Sequence, residues 1–141
     1  MKTLVLAVGT LKEAHYRAAE AEYRKRLARF CEFEVREVKN DEALVKALPK
    51  TRILCVLDER GDNLSSRELA EFFAHQHSHG GGRTLVFALG GAEGLGERVR
   101  TLAAKTLAFG RITLPHRLAR IVLIEQIYRA HTLLANTPYH K

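Results

Sequence analysis

At 141 residues, 46% of them hydrophobic and 28% charged, the chain has the composition of one soluble globular domain (residues 1–141) with enough length to bury a single core. No apolar run approaches the roughly 20 residues of a membrane helix, and the two cysteines, Cys31 and Cys55, form no C-x-x-C pair, so a membrane-spanning protein, a zinc site and a disulfide framework are all excluded as expectations. The formal net charge of +7 suits a polyanionic partner, because lysine and arginine gain by displacing counterions from phosphates.

The chain opens on a basic residue and a short apolar run, residues 3–8, which lacks a cleavage site and reads as a buried strand rather than a signal peptide; the expected location is the cytoplasm. Residues 13–30 place Tyr16, Ala19, Tyr23, Leu27 and Phe30 at three-to-four spacing, the pattern of an amphipathic helix. Residues 33–38 alternate apolar and charged side chains, as a half-buried edge strand does, and residues 41–48 form a short helix closed by Pro49. The continuous apolar run at 53–57 marks a strand covered on both faces. Ser65 and Glu68 have the spacing of a capping box that starts a helix through Leu69, Phe72 and Phe73. A second buried strand spans 84–89, a helix 97–105 and a short strand 107–112; Pro115 then opens the longest helix, to about Leu134. Such alternation predicts an α/β fold, a mostly parallel sheet of about five strands with helices on both faces. In such sheets ligands bind beyond the carboxyl ends of the strands, here the loops after Val8, Leu57, Leu89 and Ile112.

Several clusters carry chemistry. Gly90, Gly91, Gly94 and Gly96 follow a buried strand and precede a helix, a setting that fits either a ligand-binding loop or a tight structural turn. There is no G-x-G-x-x-G on the first strand and no G-K-[ST], so a Rossmann-like or P-loop nucleotide enzyme fits poorly. Asp58 and Glu59 could meet a ribose or a metal, but with Gly61 they read better as a solvated turn. His75, His77 and His79 stand at alternating positions on the end of a helix, where they do not converge, so no metal is expected. On the last helix, Leu118, Ile121, Val122, Ile124 and Ile127 form a broad apolar face suited to a core or a subunit interface. Glu125, Gln126 and Arg129 beside it need partners, as ion pairs or as part of a site. The terminal Tyr139, His140 and Lys141 could stack on, bond to or neutralise RNA, although by position alone they read as a frayed end.

The ordered set L-G-G-A-E-G-L (89–95), T-L-P-H (113–116), E-Q-I-Y-R-A (125–130) and P-Y-H-K (138–141), with A-V-G-T at 7–10, resembles the family that methylates N3 of a pseudouridine in the 23S RNA of the large ribosomal subunit. That family lies within the knotted SPOUT methyltransferases. The resemblance spans essentially the whole chain. It implies a C-terminal trefoil knot, an exception to the rule against threaded chains. It also implies a homodimer joined through the long C-terminal helices, S-adenosyl-L-methionine as cofactor, and 23S ribosomal RNA within the ribosome as partner. By position it implies cofactor contacts from Leu57, Gly91, Phe109, Gly110, Arg111, Ile112, Thr113 and Leu114. Where the family commonly shows S-L-S-x-M-T, this chain has Ala108, Phe109, Gly110, Arg111, Ile112 and Thr113, which leaves main-chain rather than hydroxyl contacts there. The segment 39–50 is also shorter than the family's.

The resemblance further implies catalytic roles for Arg129, Tyr139 and His140. The first two, with the rest of the tail, hold the base from the partner chain and stabilise its developing anion, and His140 is the candidate proton acceptor. His116 packs at the helix start. The rival from another class is a non-catalytic ribosome-associated RNA-binding protein, which the same charge would serve.

Overall fold

The computed structural model describes residues 1–139 of the chain. Along them run β1 (Lys2–Val8), α1 (Ala14–Leu27), β2 (Glu32–Val38), α2 (Asp41–Ala47), β3 (Arg52–Asn63), α3 (Ser66–His79), β4 (Thr84–Leu89), α4 (Glu97–Leu102), β5 (Lys105–Ala108) and α5 (His116–Leu134). The strands form one five-stranded sheet in the order β2-β1-β4-β3-β5, and each neighbouring pair is parallel. The α/β architecture expected from the alternating pattern is therefore the one adopted. β1, β3 and β4 occupy the interior positions, which explains their unbroken apolar runs, while β2 lies at an edge with its alternating pattern.

Period-two alternation along the strands divides the core into two layers. Val5, Cys55, Leu85 and Phe87 point to one face, where Leu27 of α1, Phe73 of α3 and Leu123, Ile124 and Ile127 of α5 cover them. Leu4, Leu6, Leu54, Val56 and Val86 point to the other, under Leu44 of α2 and Val99 of α4. Both cysteines are free, and burial pushes the Cys55 thiol up to about 12, which leaves it inert at neutral pH.

Local signals fix the helix ends. The Ser65 hydroxyl accepts from the Glu68 amide at 3.0 Å while the Glu68 carboxylate accepts from the Ser65 amide at 2.9 Å, the reciprocal capping box. Asn40 caps α2 by accepting from the Ala43 amide at 2.8 Å. At the end of α5 the Thr137 amide donates to Thr132 O at 3.0 Å and the Asn136 amide to Leu133 O at 3.3 Å. This is a Schellman ending, with Asn136 at φ 55 in the left-handed region that asparagine tolerates. The turn sends the chain back along α5, so Tyr139 packs on the core instead of fraying.

Two boundaries differ from the sequence reading. The stretch 58–61, read as a solvated turn, belongs to β3, which runs on to Asn63. Leu57 and Asp62 both stand opposite Leu107, so the intervening residues bulge out before the strand resumes. A Cβ on Gly61 would lie 2.7 Å from the backbone of Thr106 and Leu107, so the passage of this bulge over β5 requires glycine. Exposed acids in the bulge hid the strand from any hydrophobic pattern. Likewise α4 stops at Leu102, where the sequence suggested a helix to residue 105. The Ala104 amide donates to Leu54 O at 2.8 Å and Lys105 pairs with Cys55, so β-pairing along β3 takes over from helix. The strand expected at 107–112 is β5, displaced to Lys105–Ala108, and residues 109–114 form a loop.

His131 on α5 lies between Phe30 and Phe73, at ring-centroid distances of 5.9 and 5.3 Å, with its buried Nε2 lacking a hydrogen-bond partner among the described residues. Burial first, and then the positive amino terminus and His77, lower its pKa below the usual imidazole value. The folded protein thus binds this proton less readily than the unfolded chain. The neutral imidazole is fully compatible with the fold above the unfolded value of about 6.5, and stability falls as pH drops from there toward the folded value. We expect urea midpoints measured between pH 7.5 and 5 to fall less steeply for His131→Leu than for the unsubstituted chain; equal slopes would show that His131 does not carry this dependence.

Candidate active site

The carboxyl ends of β3, β4 and β5 open onto a cleft of about 340 Å³. Its walls come from residues 57–60 of the β3 bulge, the glycine loop at 89–95 and the loop from Leu107 to Leu114, with His116 and Ala119 of α5 behind. Each loop is held in shape by its own chemistry. The Gly94 amide donates to Gly91 O at 3.0 Å, and Gly94 sits at φ 75, which closes the glycine loop into a turn. Gly90 lies so close to that turn that a Cβ there would fall 2.3 Å from the carbonyl carbon of Gly94. The Arg100 guanidinium donates to Leu95 O and ties the far side of the loop to α4. Gly110 at φ 90 reverses the chain after β5.

The glycine loop leads into α4, whose first amides could in principle also face the cleft. They do not: Asp41 accepts from the Gly96 amide at 2.7 Å and residues 97–99 do not border the cleft, which leaves the loop backbone as the polar lining on that side. Asp58, read as a turn residue, lines the cleft. Its carboxylate takes the Arg60 guanidinium at 2.9 and 2.8 Å and the Arg60 amide at 2.9 Å. The Arg60 hydrogen bonds, helped by the charge of Arg100, lower its pKa to about 2. The cleft therefore combines apolar walls (Leu57, Leu89, Leu107, Leu114), open backbone at glycines and a permanently ionised acid next to arginines.

Of the residues expected at a cofactor site, Leu57, Gly91, Phe109, Gly110, Ile112, Thr113 and Leu114 line the cleft. Arg111 is exposed on the same loop and is not among the lining residues. Glu93, Arg100 and His116 line it too and were not singled out for this role, and so does Asp58, whose reading as a ribose or metal contact yields in the sequence to that of a turn although it stands at the end of a buried strand.

A second cluster gathers at the far end of α5. Glu125 accepts from Arg129 Nε and from its terminal nitrogen at 3.1 and 2.7 Å, and from the Tyr139 hydroxyl at 2.9 Å. Gln126 donates to the other Glu125 oxygen at 2.6 Å and accepts from Ser66 Oγ at 2.5 Å, which anchors the carboxylate to α3. The Arg129 guanidinium lies 4.7 Å from the centroid of the Tyr139 ring, which in turn meets Tyr128 edge-on at 4.7 Å. Burial first, then the Tyr23 hydroxyl and Glu125, raise the Tyr139 phenol well above its usual value, so it stays protonated and acts as a donor. Arg129 and Tyr139 are thus brought together, but not to the cleft of their own chain: Ala119 lines the cleft, and ten residues of helix separate it from Arg129, about 15 Å at 1.5 Å per residue. His140, the third expected catalytic residue, and Lys141 lie outside the described residues. No group of three or more potential metal ligands occurs among the described residues, and no described helix is long and apolar enough to cross a membrane.

A family model described as a predicted SPOUT methyltransferase matches residues 1–140. The chain belongs to the SPOUT methyltransferase family. Among curated relatives, a protein of Geotalea uraniireducens named ribosomal RNA large subunit methyltransferase H is 41% identical over 99% of both chains. Proteins of the same name from Koribacter versatilis and Anaeromyxobacter sp. (strain K) are 39% and 42% identical, covering 98% and 100% of their own lengths. Two solved structures share the fold at 13% identity and a TM-score of 0.61 each: a probable methylase family protein from Haemophilus influenzae Rd KW20 and a probable methyltransferase from Bordetella pertussis Tohama I. They align with 99% and 92% of this chain and with 70% and 95% of their own. Membership in a SPOUT family assigns the chain to methyl transfer, and so calls for a methyl donor and an acceptor.

Proposed function

We propose that the chain is a ribosomal RNA methyltransferase that moves a methyl group from S-adenosylmethionine to N3 of a pseudouridine in 23S ribosomal RNA, acting on the large subunit or the assembled ribosome. It does so as a single-domain homodimer in the cytoplasm. The observation that carries this reading is the cleft at the ends of β3, β4 and β5, walled by the glycine loop and the reversed loop 109–114. Full-length relatives named as large-subunit RNA methyltransferases and the net charge of +7 support RNA as acceptor.

The residues present fit S-adenosylmethionine. Leu57, Leu89, Leu107 and Leu114 offer apolar walls for a purine, and the backbone of the two loops offers amides and carbonyls. At Gly94 and Gly110 nothing lies within 4 Å of a Cβ position, so the loops leave room beside them. When bound, the sulfonium supplies an activated methyl group for an in-line displacement. The protein's part is then to position the acceptor nitrogen and to stabilise the charge it develops on losing its proton. Arg129, fixed over Tyr139 by Glu125, supplies a cation whose geometry is set in advance, and protonated Tyr139 supplies a donor and a stacking face. Neither takes the proton; we assign that role to His140, an imidazole being the side chain most often used as a general base.

The separation of this cluster from the cleft along α5 supports action across a dimer. So does the half-exposed apolar stripe Leu118, Ile121 and Val122 on α5, with Ile112 72% exposed beside the cleft. The trefoil knot is part of the same proposal, and membership in the SPOUT family supports it.

The test is methylation of bacterial large subunits and 70S ribosomes by the purified protein, with mass spectrometry placing the new methyl group, alongside calorimetry with S-adenosylmethionine. Methyl on N3 of a pseudouridine is the expected result. Ribosome binding with no affinity for S-adenosylmethionine would replace the proposal with a non-catalytic RNA-binding protein. Within this reading, Gly90→Ala forces the turn at Gly94 to open, and we expect the S-adenosylmethionine Kd to rise at least about tenfold, the effect of losing roughly 1.4 kcal/mol of contact. An unchanged Kd would remove the glycine loop from the site.

A further inference from the structure

We propose that the carboxyl-terminal half of α1 and the turn that follows it form a docking ridge for RNA, on which Arg24, Lys25 and Arg29 take backbone phosphates next to the nucleotide held by Arg129 and Tyr139. The inference rests on the proposed function, since it extends the acceptor site of that reaction.

The first observation is how the charges on α1 are paired. The acids Glu20 and Glu22 of the helix and Glu13 at its N-cap each already have an arginine: Glu13 with Arg117 at 3.4 Å, Glu20 with Arg120 at 2.7 Å and Glu22 with Arg26 at 2.8 Å. Arg24, Lys25 and Arg29 are exposed and form no ion pair among the described residues; Arg29 only overlies Phe30, at 5.4 Å. Three uncompensated cations within six positions are more than a helix end needs for its dipole, to which one or two cations in the last turn contribute.

The second observation is where the ridge leads. The pairs Glu13–Arg117, Glu20–Arg120 and Tyr23–Tyr128 advance together along both helices, so α1 runs parallel to α5 and its end lies beside the tail cluster. Arg26 sits 5.5 Å from the Tyr23 ring and 5.6 Å from the Tyr128 ring, and the hydroxyls of Tyr23 and Tyr139 are 3.4 Å apart. Tyr23 and Tyr139, half-exposed over the buried Tyr128 and flanked by cations without ion pairs among the described residues, offer the recognition chemistry of unpaired or looped RNA, with bases stacked on rings and phosphates held by point charges. A duplex surface would need the cations without the rings.

The test is the triple variant Arg24→Gln, Lys25→Gln, Arg29→Gln, which removes charge without introducing repulsion within the helix. Binding to bacterial large subunits is measured across a salt series, with steady-state methylation and thermal unfolding recorded on the same preparations. Three phosphate contacts to single-stranded RNA contribute about 2 to the slope of log K against log salt, so the variant's slope should be shallower by about 2 and its affinity near 0.1 M salt at least about tenfold weaker. The rise should appear in KM for the subunit, with kcat and the S-adenosylmethionine Kd unchanged. A matched triple, Lys39→Gln, Lys46→Gln and Lys50→Gln, removes the same charge on the α2 side of the sheet and should move the slope by less than half as much. Equal effects from the two triples would reduce the ridge to net charge and overturn the proposal, as would an unchanged slope in the α1 triple. If the unsubstituted protein binds subunits but transfers no methyl, the proposed function fails, while the salt slopes still decide the ridge.

Discussion

Replacing Arg120 with methionine should cost about 3–5 kcal/mol of folding stability, the loss expected when one partner of a buried ion pair is removed. Arg120 is 5% exposed and holds Glu20 through two hydrogen bonds of 2.7 and 3.0 Å, while its remaining terminal nitrogen reaches Glu37 at 2.8 Å. Glu37 in turn accepts from the Leu11 amide at 3.2 Å, so one guanidinium joins α5, α1, β2 and the turn after β1. Without it Glu20, itself 8% exposed, keeps a carboxylate in the core with no cation. Glu37 is better exposed and turns to solvent at little expense. The drop in Tm should be on the order of 10 °C for a chain of this size. Combining Arg120→Met with Glu20→Leu should recover most of the loss, because a well-packed apolar pair replaces the ions. Urea denaturation of both variants decides the matter: a single variant within 1 kcal/mol of the parent would show that the pair is solvated in solution. Arg120 also borders a small cavity beside His116 and Gly90, so the same variant should loosen the rear wall of the cleft before it unfolds the protein.

None of that network was legible in the sequence. Glu20, Glu37 and Arg120 are far apart in the chain, and each reads as one more charge on an amphipathic element. Only the pairing of a parallel helix with an edge strand brings them together. What the sequence did show was periodic. The runs at 3–8, 53–57 and 84–89 became the three inner strands because a strand buried on both faces has no polar positions. The capping box was legible because both its partners lie within four residues. The site was legible only in part. Glycine spacing pointed to the loop at 90–94, but Asp58 was hidden by its own turn-forming chemistry, and the strand beyond it by exposed acids. The order in the tail was hidden for a similar reason. By position alone the tail read as a frayed end, whereas the Schellman turn at Asn136 folds Tyr139 against Tyr23 and Tyr128.

A chain ending at Asn136 should lose at least about a hundredfold in single-turnover methylation of 70S ribosomes, the scale expected when a preorganised charge stabiliser is removed. The truncation takes away Tyr139 and with it the stacking face on Arg129 and the hydroxyl that Glu125 accepts at 2.9 Å. Affinity for S-adenosylmethionine should stay within about twofold, because the cleft lies about 15 Å away along α5. Tyr139→Phe keeps the ring and loses the donor, and should fall between the two. Full activity in the truncated chain would remove the tail from the reaction. Mixing decides whether the tail acts across the dimer. When the truncated chain is co-refolded with an equal amount of Gly90→Ala, neither chain has both a sound cleft and a sound tail. With S-adenosylmethionine held below the parental Kd, action within one chain then predicts no more than about a twentieth of the parental rate, from Gly90→Ala chains with a roughly tenfold weaker cleft. Action across an isologous interface predicts that half the dimers carry one complete site, giving about a quarter of the parental rate. That recovered quarter is the expected result, since α5 places its cleft end and its clamp end too far apart to serve the same base.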